Sequence, residues 1–397
     1  MIEINDEFRS FVASNRGTAP NVLRLKYHGD KRSWIPLAIN HIEGLGKCGR
    51  KFMAADGTDF TPKIIARPLS VEQATSAGIG MLHRRLAGDA RRVLDMTCGL
   101  GIDSRFLAQG RDLTAIELNA ELAEAARYNF AEMPNVEIVN GDSTEWLANY
   151  RGEPFDLVFI DPARRGDGNT RLYNITDCAP DILSLLPLLR EKSNRVMVKL
   201  SPMLDITQTI RDLPGISALH IVDERGECRE LLAILDFTAS FAEPRITVHD
   251  EDTEFSYLPS EANGIPCAEY ALPATGMWLC EPGPGMMKSG RFNLLAKRFG
   301  LKEIHKNTHL LLGADKPEGF PGKCRRIEAV YPLSSSSLKT VGKAIGRADI
   351  AIRNLPQFTP ELLSKRLGIK PGGMRRVVGC TVADGSKALI VVRKDSV

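Results

Sequence analysis

The sequence predicts an α/β fold: a doubly wound, Rossmann-like sheet of seven strands, preceded by a helical region and followed by a small α+β domain. Three observations support this prediction. Apolar, strand-like runs alternate with helix-length segments from residue 91 to about residue 240. A glycine-rich turn follows the first run, and an acidic residue ends the second. Both features lie at carboxyl ends of strands, where open α/β sheets bind their ligands.

The first strand and its turn are predicted from an apolar run without alternation that ends at Asp95. Residues 97–101 then form a tight turn, in which Gly99 and Gly101 permit positive φ angles or the close approach of a ligand. The second strand ends in Glu117, which places a carboxylate where a ribose diol would lie. The segment therefore predicts a nucleoside-binding βαβ unit.

The residues directly after Gly101 indicate the type of nucleoside. A dinucleotide fingerprint, G-x-G-x-x-G, needs a third small residue for access to a pyrophosphate. This chain has Ser104 at that place and Asp103 beside it. A carboxylate there would repel a pyrophosphate but would tolerate or attract a sulfonium or ammonium group. S-adenosylmethionine (SAM) is therefore a better fit than NAD.

These residues resemble motif I of the class I SAM-dependent methyltransferases, D-x-x-x-G-x-G, and later motifs occur in the same order. Glu117 matches the ribose-binding acid, Asp142 the acid that meets the adenine amino group, and residues 155–165 occupy the place of motif IV. The resemblance implies cofactor contacts from Asp95, Thr97, Cys98, Gly99, Gly101, Asp103, Glu117, Asp142 and Asp161. More narrowly, the chain resembles bacterial methyltransferases with a ferredoxin-like insert and a THUMP-like C-terminal domain.

Motif IV reads Asp-Pro-Ala-Arg-Arg from Asp161 onward and is expected to carry the chemistry. Asp161 could receive a proton or hydrogen bond from a nucleophile, and Pro162 would stiffen the turn that holds it. Arg164 and Arg165 suit phosphate or base contacts of a substrate. Amino-methylating enzymes usually have Pro-Pro and an aromatic residue here, so the methylated atom stays open.

The motif Asp-Pro-x-Arg also resembles enzymes that methylate C5 of uridine in RNA, which need a cysteine nucleophile late in the sheet. Cys228 has a suggestive position but lacks the surrounding motif of those enzymes. A buried or incidental thiol is the favoured interpretation of this residue.

The predicted elements divide the chain into several regions. The seven strands are expected near residues 92–95, 113–117, 136–140, 156–160, 195–200, 218–222 and 231–237. The expected regions are a helical N-terminal region (1–66), a SAM-dependent methyltransferase domain (67–240), a small ferredoxin-like module (268–320) and a basic THUMP-like domain (321–397). In the module, a strand at 277–280, a helix at 286–299 and a strand at 308–312 suggest a βαβ-like arrangement.

The charge is unevenly distributed along the chain. The whole chain has a formal charge of +3, but residues 321–397 contain 15 basic and five acidic residues, a net charge of +10, which leaves −7 for the rest. Such asymmetry favours a polyanionic partner for the C-terminal segment. The resemblance implies binding of tRNA or rRNA, and Arg375 and Arg376 are the predicted phosphate contacts there.

The composition also limits the function classes. No run of about 18 apolar residues occurs, so no membrane span is predicted. The eight cysteines are scattered without a C-x-x-C motif, so neither a metal site nor a disulfide framework is expected. The acidic N-terminus does not resemble a signal peptide. A cytoplasmic monomer without membrane or metal partners is therefore the expectation.

The sequence leaves other functions open. A methyltransferase of a protein or a small molecule belongs to the same class, and deleting the basic segment would then leave activity unchanged. A non-catalytic protein that binds SAM and RNA would show no methyl transfer. A NAD-dependent oxidoreductase is disfavoured by Ser104 and Asp103. The principal prediction is a SAM-dependent RNA methyltransferase.

Overall fold

The computed structural model describes residues 4–164, 175–251 and 253–394, without the side chains of Arg164 and Asp177. The chain divides into two compact units. The first unit comprises Met1–Leu219 and Leu231–Ala242, and the second comprises His220–Glu230 and Glu243–Val397.

The first unit begins with helices that form their own hydrophobic cluster. These are α1 (Asp6–Asn15), α2 (Pro20–Lys26) and α3 (Ile35–Cys48), followed by α4 (Pro68–Gln73) and α5 (Ala77–Leu86). Trp34, Ile35 and Ile39, at the start of α3, are buried. The amide of Asn129 also hydrogen-bonds both backbone groups of Ile64 at 2.7 and 2.9 Å, which ties this region to the α/β part of the unit.

The α/β part alternates strands and helices as the sequence predicts. Its elements are β1 (Arg92–Asp95), α6 (Ile102–Leu107), β2 (Asp112–Glu117), α7 (Ala120–Asn129), β3 (Val136–Asn140), α8 (Ser143–Asn149), β4 (Phe155–Ile160), β5 (Ala163–Arg164), β6 (Cys178–Ala179), α9 (Ile182–Lys192), β7 (Ser193–Leu200), α10 (Ile206–Asp212), β8 (Ile216–Glu224) and β9 (Glu227–Asp236). A short 3-10 helix spans Ile175–Asp177. All seven predicted strands are confirmed.

Among the described residues, the sheet contains nine strands rather than the seven predicted, and the strand order β8-β9-β7-β4-β1-β2-β3 within it positions the ligand edge. β3, β2, β1, β4 and β7 run parallel, whereas β9 is antiparallel to β7. β1 and β4 are almost entirely buried, as expected for parallel strands covered on both faces. The strand order changes direction at β1, so the carboxyl ends of β1 and β4 flank a topological switch point, where such sheets bind ligands.

The second unit contains a hairpin and a mixed α/β region. Its elements are β10 (Arg245–Asp250), β11 (Thr253–Tyr257), α11 (Pro259–Ala262), β12 (Trp278–Pro282), α12 (Pro284–Ser289), α13 (Phe292–Phe299), β13 (Lys302–Glu303), β14 (Leu311–Gly313), β15 (Gly322–Pro332), α14 (Ser335–Ile345), β16 (Asp349–Arg353), α15 (Pro360–Leu367), β17 (Arg375–Thr381) and β18 (Lys387–Arg393). β10 and β11 form an antiparallel hairpin.

Seven of these strands form one sheet, in the order β13-β14-β12-β15-β18-β17-β16. The long strand β15 joins its two halves, because its first residues pair with β12 and its last residues pair with β18. β17 and β18 pair in antiparallel orientation and form a hairpin across residues 384–385.

Two local predictions for the module at 268–320 are wrong. The single helix expected at 286–299 is divided into α12 and α13, because Gly290 adopts a left-handed conformation with φ of 65° and ends α12. The expected βαβ-like arrangement is also absent, since β12 and β14 pair in antiparallel orientation. A βαβ unit requires a parallel pair.

Candidate functional site

The glycine-rich turn between β1 and α6 forms one wall of the candidate site. Gly99 and Gly101 have φ angles of 57° and 82°, which side-chain-bearing residues rarely adopt. A Cβ atom at Gly101 would also lie 2.7 Å from Cε2 of Phe130. Glycine at position 101 is therefore required by the backbone conformation and by the space beside α7.

Asp95 organises this turn from inside the protein. It is fully buried, and its Oδ1 accepts a hydrogen bond of 2.9 Å from the Thr97 amide while its Oδ2 accepts one of 2.5 Å from the Ser104 hydroxyl. Burial raises the pKa of Asp95 to about 7. The structure places Asp95, a predicted cofactor residue, beneath the turn, with no part of its side chain at the surface.

Glu117 lies at the carboxyl end of β2 and is joined to the same turn. Its Oε2 accepts a hydrogen bond of 2.7 Å from the Gly99 amide, and its Oε1 accepts one of 2.8 Å from the Asn119 amide. The side chain is only half-buried. Because a carboxylate oxygen can accept more than one hydrogen bond, Glu117 can hold the turn and still accept two hydroxyl groups.

Asp161 follows β4 at the same edge of the sheet. Its amide donates a hydrogen bond of 2.7 Å to the hydroxyl of Thr97, which in turn belongs to the turn after β1. Its carboxylate Oδ2 lies 2.7 Å from the ammonium of Lys199, near the end of β7. The side chain of Asp161 is 38% exposed to solvent, whereas that of Lys199 is 15% exposed. Thus the chain presents an accessible carboxylate whose position is fixed from two neighbouring strands.

Asp103 belongs to a second hydrogen-bond network behind this pair. Its Oδ2 accepts a hydrogen bond of 2.6 Å from Thr75, and its Oδ1 lies 2.7 Å from Nδ1 of the buried His83. Lys199 also donates to the Thr75 hydroxyl at 3.2 Å. Burial alone would raise the pKa of Asp103, but the contact with His83 and the charge of Lys199 outweigh it and lower the pKa to about 2.

The predicted cofactor residues Cys98 and Asp142 have different surroundings. Cys98 is buried, and burial raises the pKa of its thiol well above the ordinary value. Asp142 is exposed, and its Oδ1 caps α8 by accepting hydrogen bonds of 2.8 and 3.1 Å from the amides of Thr144 and Glu145. Its position after β3 keeps it at the carboxyl edge of the sheet.

The residues after Asp161 are described only in part. Pro162 is half-buried and leads into β5, which pairs with β6. Arg164 contributes its backbone to β5. Arg165, predicted to contact substrate, lies outside the described residues.

Cys228 has no features of an activated nucleophile. It lies near the start of β9, and burial together with the nearby charge of Asp223 raises the pKa of its thiol to about 12. Since the thiolate is the reactive form, a raised pKa favours an inert thiol.

The predicted phosphate contacts Arg375 and Arg376 lie on β17 in the second unit and have acidic partners. Nε of Arg375 lies 2.6 Å from Glu328, and Nη2 of Arg376 lies 3.1 Å from Glu281. The sheet therefore neutralises part of the positive charge that the sequence shows at these positions.

Several residues of the site were missed by the sequence analysis. The position of Lys199 could have been predicted from the sequence, because a charged residue near the end of an apolar strand of an α/β sheet lies at the ligand edge. Ser104 was predicted to occupy a fingerprint position or to cap the following helix, whereas in the structure its hydroxyl donates to Asp95. Thr75 and His83 lie far before the motif in the chain, and nothing local connects them to Asp103.

Within the described ranges, no cluster of three or more His, Cys, Asp or Glu side chains could hold a metal ion. No helix in the same ranges is long and apolar enough to cross a membrane.

Comparisons with known families divide the chain as its two units suggest. Residues 93–163 match a methyltransferase domain, residues 278–321 a ferredoxin-like domain, and residues 322–394 a THUMP domain-like family. The first match contains the turn after β1 together with Glu117, Asp142 and Asp161.

Among individual proteins, the chain is 35% identical over 77 residues to an uncharacterised RNA methyltransferase of Mycoplasma mobile, covering 19% of this chain and 21% of that protein. The match thus spans about a fifth of that relative. It is 28% identical over 248 residues to ribosomal RNA small subunit methyltransferase A of Geobacter sulfurreducens, covering 57% of this chain and 83% of the relative.

A crystal structure of a proposed methyltransferase from Porphyromonas gingivalis W83 aligns over 100% of both chains, with a TM-score of 0.86 and 29% identity. The alignment therefore includes the residues of both units. Together with the three domain matches, it shows that this chain combines a methyltransferase domain, a ferredoxin-like domain and a THUMP-like C-terminal domain in the architecture of that methyltransferase.

Proposed function

We propose that this protein is a SAM-dependent methyltransferase that acts on RNA. The observation that carries the proposal is the accessible Asp161 carboxylate, fixed by Lys199 and by Thr97 of the glycine-rich turn. A nucleoside-type cofactor crevice and a rigidly held carboxylate thus lie at one edge of one sheet.

The residues of this edge fit SAM. The half-buried carboxylate of Glu117 suits a ribose diol, and the bare backbone at Gly99 permits close approach of the ligand. Asp142 is exposed at the next strand end and can meet a polar edge of the base. SAM, when bound, supplies an electrophilic methyl group on a sulfonium centre.

A dinucleotide cofactor fits the same residues less well. The serine at the third fingerprint position uses its hydroxyl to hold Asp95, and Asp103 places negative charge in the first turn of α6. A pyrophosphate would need backbone donors and positive charge there. Neither side chain offers these groups to a pyrophosphate, because Ser104 is engaged with Asp95 and Asp103 with Thr75 and His83, so SAM fits better than NAD.

In the proposed reaction, Asp161 orients the nucleophilic atom of the substrate and accepts a proton or hydrogen bond from it. Lys199 holds the carboxylate in place through the 2.7 Å contact and is itself held by Thr75. Pro162 restricts the backbone after Asp161. The contribution of the chain is mainly alignment of the two reactants, since positioning alone can supply several kcal/mol, roughly 7–11 in ideal cases.

RNA is the proposed substrate because the THUMP-like match coincides with the basic C-terminal segment. Lys365, Arg366 and Lys370 are exposed on and after α15 and can reach phosphates. Arg375 and Arg376 lie at the start of β17 and belong to the proposed RNA-binding surface, although each is paired with an acidic residue. We propose that residues 67–240 transfer the methyl group and that residues 321–397 bind RNA. The protein is proposed to act in the cytoplasm.

The decisive experiment uses total RNA from a strain that lacks the protein. Purified full-length protein is incubated with this RNA and SAM labelled in its methyl group, and the RNA is then digested to nucleosides. We expect one labelled nucleoside, and no label with the Asp161→Asn variant. Parallel reactions contain the protein or the small-molecule fraction of the same strain instead of its RNA. Label in those fractions alone would redirect the proposal to another substrate class, and SAM binding without any transfer would exclude catalysis.

A further inference from the structure

A pocket in the second unit lies outside the candidate site and is lined by basic side chains. Its volume is about 470 Å³, within the range of roughly 300–1,000 Å³ typical of small-ligand sites. It is formed mainly by the segment before β15 and by β15 itself. The lining residues are Thr253, Lys316, Pro317, Gly319, Phe320, Gly322, Lys323, Cys324, Arg325 and Lys394.

All the charged side chains in this lining are basic. Lys394 has an acidic partner in Asp349. Lys316 and Lys323 are exposed, and neither forms an ion pair with the residues that the structure describes. The ammonium of Lys316 lies 5.6 Å from the ring centroid of Trp278, which orients it without neutralising it.

Arg325 is the buried component of the pocket. The residue is only 7% exposed, and its Nη1 lies 3.8 Å from Oε2 of Glu281, too far for a hydrogen bond. In the described part of the chain, Nε and Nη1 of Arg325 are buried without a hydrogen-bond partner. A buried donor without an acceptor is costly, and here it leaves the positive charge of the guanidinium incompletely compensated beside the pocket.

Glu281 cannot neutralise Arg325 completely because it also serves Arg376. The Nη2 atom of Arg376 lies 3.1 Å from the same carboxylate oxygen, Oε2. One carboxylate thus faces two guanidinium groups, and the cluster keeps a net positive charge next to the pocket. Guanidinium and ammonium groups together are the usual partners of phosphate oxygens.

We propose that this pocket binds a phosphate group of an RNA strand, held by Arg325, Lys316 and Lys323. The choice of RNA rests on the proposed function, whereas the preference for a phosphate rests on the lining itself. The pocket is then a recognition site for the RNA chain, separate from the residues that hold the cofactor. It makes sequence-independent contacts, because a phosphate carries no base identity.

The test compares the full-length protein with the Lys316→Ala/Lys323→Ala double variant. The probe is a short single-stranded RNA of mixed sequence, prepared with a 5′-phosphate and with a 5′-hydroxyl. The matched control is Lys26→Ala/Lys31→Ala, which removes the same charge from exposed positions outside the proposed RNA-binding segment. Dissociation constants are measured over a series of salt concentrations.

Loss of the one phosphate contact should make the slope of log affinity against log salt shallower by about 0.7, the value per contact on single strands. The control should keep the slope of the unaltered protein. Inorganic phosphate should displace RNA from the unaltered protein more than chloride of equal ionic strength does, and less so from the pocket variant. Preference for the 5′-phosphorylated RNA identifies a terminal phosphate, and equal binding identifies an internal one.

The proposal is overturned if the pocket variant keeps the original slope, if the control loses as much as the pocket variant, or if the unaltered protein binds neither RNA. Affinity for SAM and methyl transfer are measured on the same samples. RNA binding that depends on the pocket, without methyl transfer, would refute the proposed function and leave the pocket assignment standing. Methyl transfer to RNA, together with an unchanged salt slope in the pocket variant, would support the proposed function and refute the pocket assignment.

Discussion

The ammonium of Lys199 lies 2.7 Å from Oδ2 of Asp161, and the two residues come from the neighbouring strands β7 and β4. The pair lies at the carboxyl edge of the sheet, next to the turn that contains Gly99. Because Asp161 remains more than a third exposed while Lys199 is mostly buried, the carboxylate is the member that can meet a substrate. The relationship gives the two residues different roles that kinetics can separate.

Asp161→Asn should lower the single-turnover rate of methyl transfer by roughly 10²–10⁴, the usual contribution of a positioned acid or base. The affinity for SAM should change little, because the substitution keeps the size of the side chain. Rapid-quench measurements and calorimetry check the two parts. Asp112→Asn, at an exposed position at the start of β2, is the matched control. An unchanged rate would remove Asp161 from the chemical step.

Lys199→Ala should also slow methyl transfer, because the Asp161 carboxylate loses the partner that fixes it. The effect should disappear in the Asp161→Asn background, since Lys199 acts through Asp161. A double-mutant cycle on the single-turnover rate measures this coupling. Lys199→Arg should recover part of the rate. Fully additive effects would show that Lys199 acts independently of Asp161.

Glu117→Ala should weaken SAM binding, because it removes an acceptor for two hydroxyl groups, each charge-assisted hydrogen bond contributing roughly 1.5–3 kcal/mol at most. The variant also releases the Gly99 amide, so Glu117→Gln is needed to separate the two effects. Calorimetric titration with SAM is the measurement, and Glu137→Ala, exposed on β3, is the control. Equal SAM affinity in all four proteins would place the cofactor elsewhere.

Gly101→Ala should destabilise the protein by roughly 1–3 kcal/mol, the cost of a residue held in an unfavourable backbone region. The added methyl group would also press on the ring of Phe130, at 2.7 Å from Cε2. Urea unfolding of this variant and of Gly141→Ala, where a Cβ atom meets nothing within 4 Å, checks the expectation. Comparable stability of both variants would contradict the required left-handed turn.

The buried Asp95 should make the stability depend on pH. Its pKa rises from 3.8 to about 7 on folding, so the folded state binds the proton more tightly than the unfolded state. The contribution of Asp95 to stability is therefore present at low pH and is lost as the pH rises towards 7. Asp95→Asn removes this contribution while keeping the shape. As the pH rises from 5 to 8, the unfolding free energy of the unaltered protein should therefore fall relative to that of the Asp95→Asn variant. Urea titrations at the two pH values measure this difference.

The sequence by itself determined the elements whose signals are local. The apolar strands, the glycines of the turn and the acid ending β2 are each recognisable within a few residues, because strand burial and turn conformation depend mainly on neighbouring residues. The order of motifs along the chain and the resemblance that they carry then predicted three domain types, which the comparisons confirm. The excess of basic residues after residue 320 was equally evident from composition.

The tertiary structure alone decided which charged residues are accessible. Asp95 is buried beneath the turn, and Asp103 is committed to Thr75 and His83, although both looked like ligand contacts. Lys199 reaches Thr75 across 124 residues of chain, so no local pattern could pair them.

The same reason explains Arg375 and Arg376, whose charges looked available in the sequence. Their acidic partners, Glu328 and Glu281, come from strands that only folding brings near β17. Composition counts every charge, but the distance between charges decides whether each one is neutralised or left to attract a ligand. Arg325, buried and incompletely hydrogen-bonded, became a candidate ligand residue only when β15 was placed between β12 and β18.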